Sequence, residues 1–452
     1  MEDIIFNHYT LWIFPVKLKK SGQTGGGELR RDLQARDKRA VPLPAVLLAG
    51  VAALVVVMGI GRFAYTPILP LMQASEGFSE SIAGLVAAAN YLGYFLAALF
   101  AAFFSWEGRR INWLRVHLFL SLLTTGVMGW ASGTVWWVLI RLLSGWSSGV
   151  VFVLASSLVL ECLAAERRNG WAGMFYSGVG LGIALSGLLV PELASLFGWR
   201  GAWWGLMFVG AVLSAWIWYG LRDEQAADLR AMGRDPVIRE PAVHQHADRE
   251  NINERDAKSR DSAYHTRLPS VSRTSRFRWL VAAYGCEGLG YIVSGTFLVA
   301  VVMDLPRMEQ YGTLSWVLVG LAAAPSTLVW SWLAERRGYV HMLIWAYLLQ
   351  AVGVVLPVLS SHPVMVLLGA ILFGGTFMGI TTLALTAGRL LCEHEGNRAV
   401  GQLTAAYGLG QIIGPAAAGM VADWTGGYVF PLLISSVVLL SGMGMLVAVR
   451  QR

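Results

Sequence analysis

Three ionisable side chains stand inside long apolar runs: Arg62 in VVVMGIGRFAYTPILPLM, Arg141 in VWWVLIRLLSG and Glu287 in VAAYGCEGLGYIV. A charge at the centre of a bilayer costs about 2.5–3.5 kcal/mol on insertion scales, so such residues pair with one another or border a water-filled passage. Their chemistries differ. A guanidinium grips a carboxylate or phosphate through two parallel hydrogen bonds but does not give up its proton. A carboxyl group removed from water can titrate near neutral pH. Arg62 and Arg141 therefore read as anion-binding groups, and Glu287 as a proton carrier.

Polar neighbours widen the candidate site. Tyr65 follows Arg62 by three residues and so shares nearly the same helix face. Asn90, Tyr91 and Tyr94 fall in the next apolar run, Tyr291 sits one turn beyond Glu287, and Gln411 interrupts a later run. Tyr65, Asn90, Tyr94 and Tyr291 join the arginines as candidate cavity-lining residues. Asn90, Tyr91 and Gln411 also suit hydrogen bonds between helices, worth about 0.6 kcal/mol on average in membranes. The charges have structural alternatives: Arg62 paired with Glu287 or Asp304, and either arginine snorkelling to the interface. His117 and His341, near helix starts, read as interfacial.

The elements that must hold these groups follow from composition. The 452-residue chain is 56% hydrophobic and 14% charged, where a soluble domain carries about 25% charge. Twelve apolar runs suit membrane helices: 45–72, 81–104, 113–132, 135–160, 171–193, 198–221, 279–303, 313–334, 341–360, 363–387, 399–422 and 428–449. Their length fits helices better than barrel strands, and a helix satisfies its own backbone in hydrocarbon. The expected class is all-α and polytopic.

Eight loop arginines (Arg109, Arg110, Arg167, Arg168, Arg336, Arg337, Arg389 and Arg398) fall on the side of the termini, against Arg307 on the other. That bias predicts cytoplasmic termini. Trp136, Trp137, Trp199, Trp203, Trp316 and Trp332 lie near predicted helix ends, where indoles favour the interface. Residues 1–44 read as a polar cytoplasmic tail without a convincing signal peptide. The charge-rich, apolar-poor segment 223–278 reads as a flexible cytoplasmic linker. Cys162, Cys286 and Cys392 show neither a disulfide framework nor metal-ligand spacing, and no metal or cofactor is expected. The net charge of +7 is explained by tails and loops, so no nucleic-acid partner is expected.

The linker divides the runs six and six, and the halves echo each other. NGWAGMFYSGVGLG from Asn169 matches NRAVGQLTAAYGLG from Asn397, and GIGR from Gly59 matches GLGY from Gly288. These matches predict two pseudo-symmetric six-helix bundles, residues 45–222 and 279–450, related by an axis along the membrane normal. Gly178, Gly180, Gly182 and Gly187 stud the fifth run, and Gly408, Gly410, Gly414 and Gly419 the eleventh. Small residues at such spacing permit close helix contact in lipid.

The loop Trp106-Glu107-Gly108-Arg109-Arg110, its counterpart Trp332-Leu-Ala-Glu335-Arg336-Arg337-Gly338, and the pair Arg141 and Gly145 resemble motifs of the major facilitator superfamily over residues 45–450. The superfamily's loop pattern is G-x-L-a-D-R-x-G-R-K, with Glu335 here replacing the Asp. GRFAYTPILPLMQ with AANYLGYFLAAL resembles its bacterial YbfB/YjiJ branch. Gly182-Ile-Ala-Leu-Ser-Gly187 is similar to the antiporter motif G-P-x-x-G-G, but Ile183 and Ser186 replace a Pro and a Gly.

The resemblance implies that the first, fourth and seventh helices line a central cavity, bringing Arg62, Arg141 and Glu287 to one pathway. It also implies a gating role for Glu107, Arg109, Arg110, Glu335, Arg336 and Arg337, and links the position of Arg141 to proton coupling. The expected function is a proton-coupled secondary transporter of the bacterial inner membrane, working as a single copy of the chain. Its solute would be a hydrophobic compound or an amphipathic organic acid. No Walker phosphate loop is present, so ATP hydrolysis is not supported. A ligand-binding membrane sensor or an intramembrane enzyme are the alternatives. The enzyme lacks a nucleophile–base pair or metal cluster in the runs.

Overall fold

The computed structural model describes residues 42–104, 109–221, 275–392 and 395–451. The expectations for the 1–44 tail fall outside the described residues apart from 42–44, as do those for Glu107 and for all of the 223–278 linker but its last four residues. Regular structure among the described residues is helical. In chain order the helices are α1 (Leu43–Glu76), α2 (Glu80–Phe103), α3 (Arg110–Met128), α4 (Thr134–Ala165) and α5 (Ala172–Gly220). They continue with α6 (Ser275–Asp304), α7 (Gly312–Arg337), α8 (Tyr339–Leu359), α9 (Pro363–Leu391), α10 (Gly396–Thr425) and α11 (Val429–Gln451). All eleven are long and apolar enough to cross a membrane.

α5 contains a break. Its 49 residues would run to about 74 Å at 1.5 Å per residue, more than twice a hydrocarbon core of about 30 Å. Phe197 (φ −140°, ψ 29°) and Gly198 (φ 63°, ψ −160°) leave helical geometry, and a positive φ of that kind is readily adopted by glycine alone. A Cβ on Gly205 would stand 2.3 Å from Leu193 Cδ2. In a straight helix those residues would be about 18 Å apart, so α5 doubles back as two antiparallel arms.

Packing repeats between the halves. α1 lies on α5 as α6 lies on α10; α2 lies on α4 as α7 lies on α9; and α2 meets α10 as α7 meets α5. Glycine makes these crossings close. A Cβ on Gly59 would stand 2.3 Å from Cα of Gly182, and one on Gly288 would stand 2.1 Å from the Tyr407 carbonyl oxygen. Gly180 meets Gly320 and Ala324 across α5 and α7, while Gly419 meets Glu80 across α10 and α2. In lipid, where burial of apolar surface gives little drive, such backbone approach supplies the dispersion contact.

One end of the bundle is drawn together where α1 hands over to α2. The Asp423 carboxylate accepts the backbone N–H groups of Glu80 and Ser81, each at 2.9 Å, which suits an anion at a helix N-terminus. The Glu80 carboxylate accepts from Gln73 Nε2 at 2.9 Å and from the Tyr428 hydroxyl. Arg200 pairs with Glu76 at 3.5 Å.

Several expected placements need correction. Trp137, Trp199, Trp203 and Trp316 are buried, whereas Trp136 and Trp332 are exposed. Neighbouring helix ends converge on the buried rings: Trp137 lies 5.1 Å from Phe78, and Trp316 Nε1 donates to Ser186 Oγ at 3.3 Å. His117 is likewise buried, between Trp113 O at 2.9 Å and Trp146 Nε1 at 3.3 Å. α4 runs past residue 160 to Ala165 because Glu161 is held by Ser157 Oγ and Arg110, both at 2.7 Å.

The tightest crossing provides a test. A Cβ on Gly145 would stand 1.9 Å from the Asn90 carbonyl oxygen, while one on the exposed Gly444 would meet nothing within 4 Å. Gly145→Leu is expected to destabilise the purified protein by at least about 2 kcal/mol, and Gly444→Leu to leave it unchanged, both read by thermal unfolding in detergent. Equal melting of the two variants would contradict the packing described.

Candidate functional site

The site grows from a disturbance in α1. Residues Val55–Phe63 form a π-helical stretch between two α-helical segments, Leu43–Leu54 and Tyr65–Glu76. Gly59 and Gly61 loosen this stretch, and Pro67 and Pro70 follow it. Each proline lacks a backbone donor and crowds the preceding turn. π-Stretches recur at functional positions because they present main-chain groups and side chains out of register.

Arg141 of α4 braces the disturbance. Its Nη1 donates to the Gly61 carbonyl at 2.8 Å and its Nη2 to the Arg62 carbonyl at 2.9 Å; Ser144 Oγ adds a bond to Gly61 O at 3.1 Å. The guanidinium is 1% exposed and lies 5.1 Å from the Tyr65 ring centroid. Asn90 Nδ2 donates to the Arg141 carbonyl at 3.0 Å, and the Tyr65 hydroxyl to Ala83 O at 3.1 Å. Arg141, Ser144, Asn90 and Tyr65 thus form a hydrogen-bonded frame around the Arg62 backbone.

The Arg62 side chain leaves that frame and enters a cage of rings. Its guanidinium carbon stands 4.3 Å from the centroid of Tyr94, 4.7 Å from Tyr91 and 5.4 Å from Phe63. Contacts of this kind are worth about 2 kcal/mol or more when desolvated. Arg62 is 3% exposed, yet its Nε and Nη2 have no hydrogen-bond partner. Among the described residues no carboxylate lies within 4.0 Å of Arg62 or Arg141; the ion pairs found there are Arg110–Glu161, Arg200–Glu76 and Arg398–Glu395.

Beyond the cage lies an aromatic wall. Phe63 meets Phe377 edge-on at 6.4 Å, and Phe377 stacks with Tyr291 at 5.7 Å and 7°. Tyr291 stacks with Tyr407 at 5.5 Å, and Tyr407 with Tyr284 at 4.5 Å. Gln411 Nε2 donates to the Tyr291 hydroxyl. Across the halves, Tyr91 and Thr296 hydroxyls lie 3.3 Å apart, and Thr66 Oγ1 donates to Gly295 O at 2.6 Å.

Glu287 occupies different surroundings. It is fully buried on α6, where its Oε1 accepts from Gln350 Nε2 of α8 at 2.9 Å. Glu287 Oε2 and Gln350 Oε1 are buried without a partner. Among the described residues Arg62 pairs with neither Glu287 nor Asp304, so the structural ties considered for it do not form there. Gln350 is a missed site residue; its signal was an amide in the middle of YLLQAVGVV.

The loop candidates are dispersed: Arg109, Glu335, Arg336 and Arg337 are exposed, Arg336 lies 3.9 Å over Trp332, and Arg110 pairs with Glu161 at 2.7 Å. A cavity of about 520 Å³ opens between Pro67, Leu71, Pro191, Met303 and Gln310, and Arg62 is not among its lining residues. Among the described residues no cluster of metal-ligating side chains is found.

The chain matches the family described as "Uncharacterised MFS-type transporter YbfB" over residues 54–239 and 252–447. It is 28% identical over 145 residues, 31% of its length, to "Probable anion transporter 6, chloroplastic" of Arabidopsis thaliana, spanning only 28% of that relative. Its fold is similar to the crystal structure of the nucleoside transporter NupG, with a TM-score of 0.64, 12% identity and coverage of 90% of this chain and 99% of that one.

The two arginines are expected to respond in opposite ways to removal. Arg141→Met takes the side-chain donor from the Arg62 carbonyl and leaves Gly61 O with Ser144 Oγ alone; a buried unpaired carbonyl costs about 1–3 kcal/mol, so the variant should lower the melting temperature of the solubilised protein. Arg62→Met removes an unpaired buried charge and should leave stability equal or higher. Comparable destabilisation by both variants would contradict these roles.

Proposed function

The chain belongs to the YbfB family of major facilitator superfamily transporters, and from that premise we propose that it carries a small organic anion across the cytoplasmic membrane of a bacterium by alternating access. The protein is a multi-pass membrane transporter and not an enzyme. The observation that carries the anion is the pair of buried guanidinium groups, Arg62 and Arg141, with no carboxylate of the described residues in ion-pair reach. Two buried cations without an acidic partner among the described residues are costly, and an arriving anion relieves that cost. The limited similarity to a probable anion transporter points the same way.

The two arms of α5, counted separately, bring the crossings to twelve, six on each side of the 223–278 linker, with both termini cytoplasmic. Bundles 45–222 and 279–450 then rock about the Arg62 cage, as expected for parallel repeats around a central site. The repeated pairings of α1 with α5 and of α6 with α10 support this reading. Glu287 is the proton carrier in the scheme: it is buried, it is held by a neutral amide rather than a cation, and one of its oxygens is unengaged. Arg141 serves as a positioning residue for Arg62, because both of its terminal nitrogens are engaged by main-chain carbonyls.

Proteoliposomes with an imposed pH gradient, assayed with a panel of radiolabelled organic acids, test the function. Wild-type protein is expected to accumulate an anion against its gradient. Glu287→Gln should abolish accumulation while preserving exchange of solute between the two sides. Accumulation by Glu287→Gln would remove its proton role, and binding without passage of any panel member would overturn transport.

A further inference from the structure

We infer that the solute is an aromatic monocarboxylate, bound through the Nε–Nη2 edge of Arg62 with its ring between the aromatic side chains of the cage; this rests on the transport reading above. The Nε–H and Nη2–H bonds leave one edge of the planar guanidinium nearly parallel, matching the two oxygens of a carboxylate. Those are the two Arg62 nitrogens that lie buried without a partner.

The surroundings restrict what can follow the carboxylate. Rings of Tyr94, Tyr91 and Phe63 stand 4.3, 4.7 and 5.4 Å from the guanidinium carbon, so the inferred solute meets Arg62 along its Nε–Nη2 edge, in the guanidinium plane. An aryl carboxylate is flat, because its carboxylate conjugates with the ring, and it continues that plane between the cage rings. A saturated ring or a branched chain projects out of the plane and meets them. The near-parallel wall of Phe377, Tyr291 and Tyr407 adds faces for offset stacking, worth about 0.5–1.5 kcal/mol per pair beyond burial. One carboxylate is what the Nε–Nη2 edge of Arg62 takes, while both terminal nitrogens of Arg141 already donate to the Gly61 and Arg62 carbonyls.

Equilibrium binding of radiolabelled benzoate to the full chain in lipid nanodiscs tests this directly. Benzoate is expected to bind at least tenfold more tightly than cyclohexanecarboxylate, while benzamide, benzylamine, terephthalate and inorganic phosphate fail to compete. Arg62→Lys keeps the charge, loses the fork, and should weaken benzoate binding at least tenfold. Tyr94→Leu should erase the preference for the aromatic ring, and Tyr94→Phe should retain it, which keeps the test informative if the arginine variant does not fold. Absence of benzoate binding, equal binding of cyclohexanecarboxylate, competition by benzamide, or an unaffected Arg62→Lys variant would each overturn the inference. The transport reading fails separately: benzoate bound but never moved into vesicles contradicts transport and leaves the ligand class standing. Movement of non-aromatic solutes alone does the reverse.

Discussion

A backbone carbonyl in hydrocarbon has to find a donor inside the protein, and at Gly61 and Arg62 that donor is Arg141. Much of the site follows from this pairing. The π-stretch from Val55 to Phe63 shifts α1 out of register, turns two carbonyls toward α4, and swings the Arg62 side chain toward α2. Gly145 then lets α4 come close enough to α2 for Asn90 to reach the Arg141 carbonyl. A side chain shorter or less forked than arginine could not serve both carbonyls at once.

The second guanidinium, that of Arg62, has no acidic partner among the described residues. Tyr91, Tyr94 and Phe63 compensate it through their faces, but faces do not satisfy N–H groups, and two nitrogens remain bare. Evolved cores seldom keep a buried polar group in that state without a use for it. In the proposed function the cost in stability is set against binding of a ligand that brings its own negative charge, a common trade at functional sites.

Much of the fold was legible in the sequence because hydrocarbon imposes so few solutions. The apolar runs correspond to the helices, with the fifth and sixth appearing as the two arms of α5 on either side of Phe197–Gly198. The echo between GIGR and GLGY and between the two Gly-Leu-Gly segments has a physical meaning: Gly59 meets Gly182 in one half, and Gly288 and Gly410 occupy the corresponding crossing in the other. Arg62 stands against Tyr94, and Tyr291 lies on the adjoining aromatic wall, reached through Phe377 and Phe63. Arg141 and Asn90 lie beside it, bonded to main chain. Periodicity could not separate these roles, because a π-stretch breaks the 3.6-residue rule on which side-chain direction rests. Trp137, Trp199, Trp203 and Trp316 are buried while Trp136 and Trp332 are exposed: a position near a helix end does not reveal whether a neighbouring helix or lipid stands beside it. Gln350 became meaningful only once α8 was seen against α6.

The central claim is that Arg62 is held buried and without an acidic partner so that an external anion can complete it. A cryo-electron microscopy map of the solute-bound protein, at a resolution that shows side chains, tests it most directly. The account predicts density for the anion on the Nε–Nη2 edge of Arg62, with Arg141 still bonded to the Gly61 and Arg62 carbonyls. Solute density elsewhere, with Arg62 paired to a carboxylate of the chain itself, would contradict it.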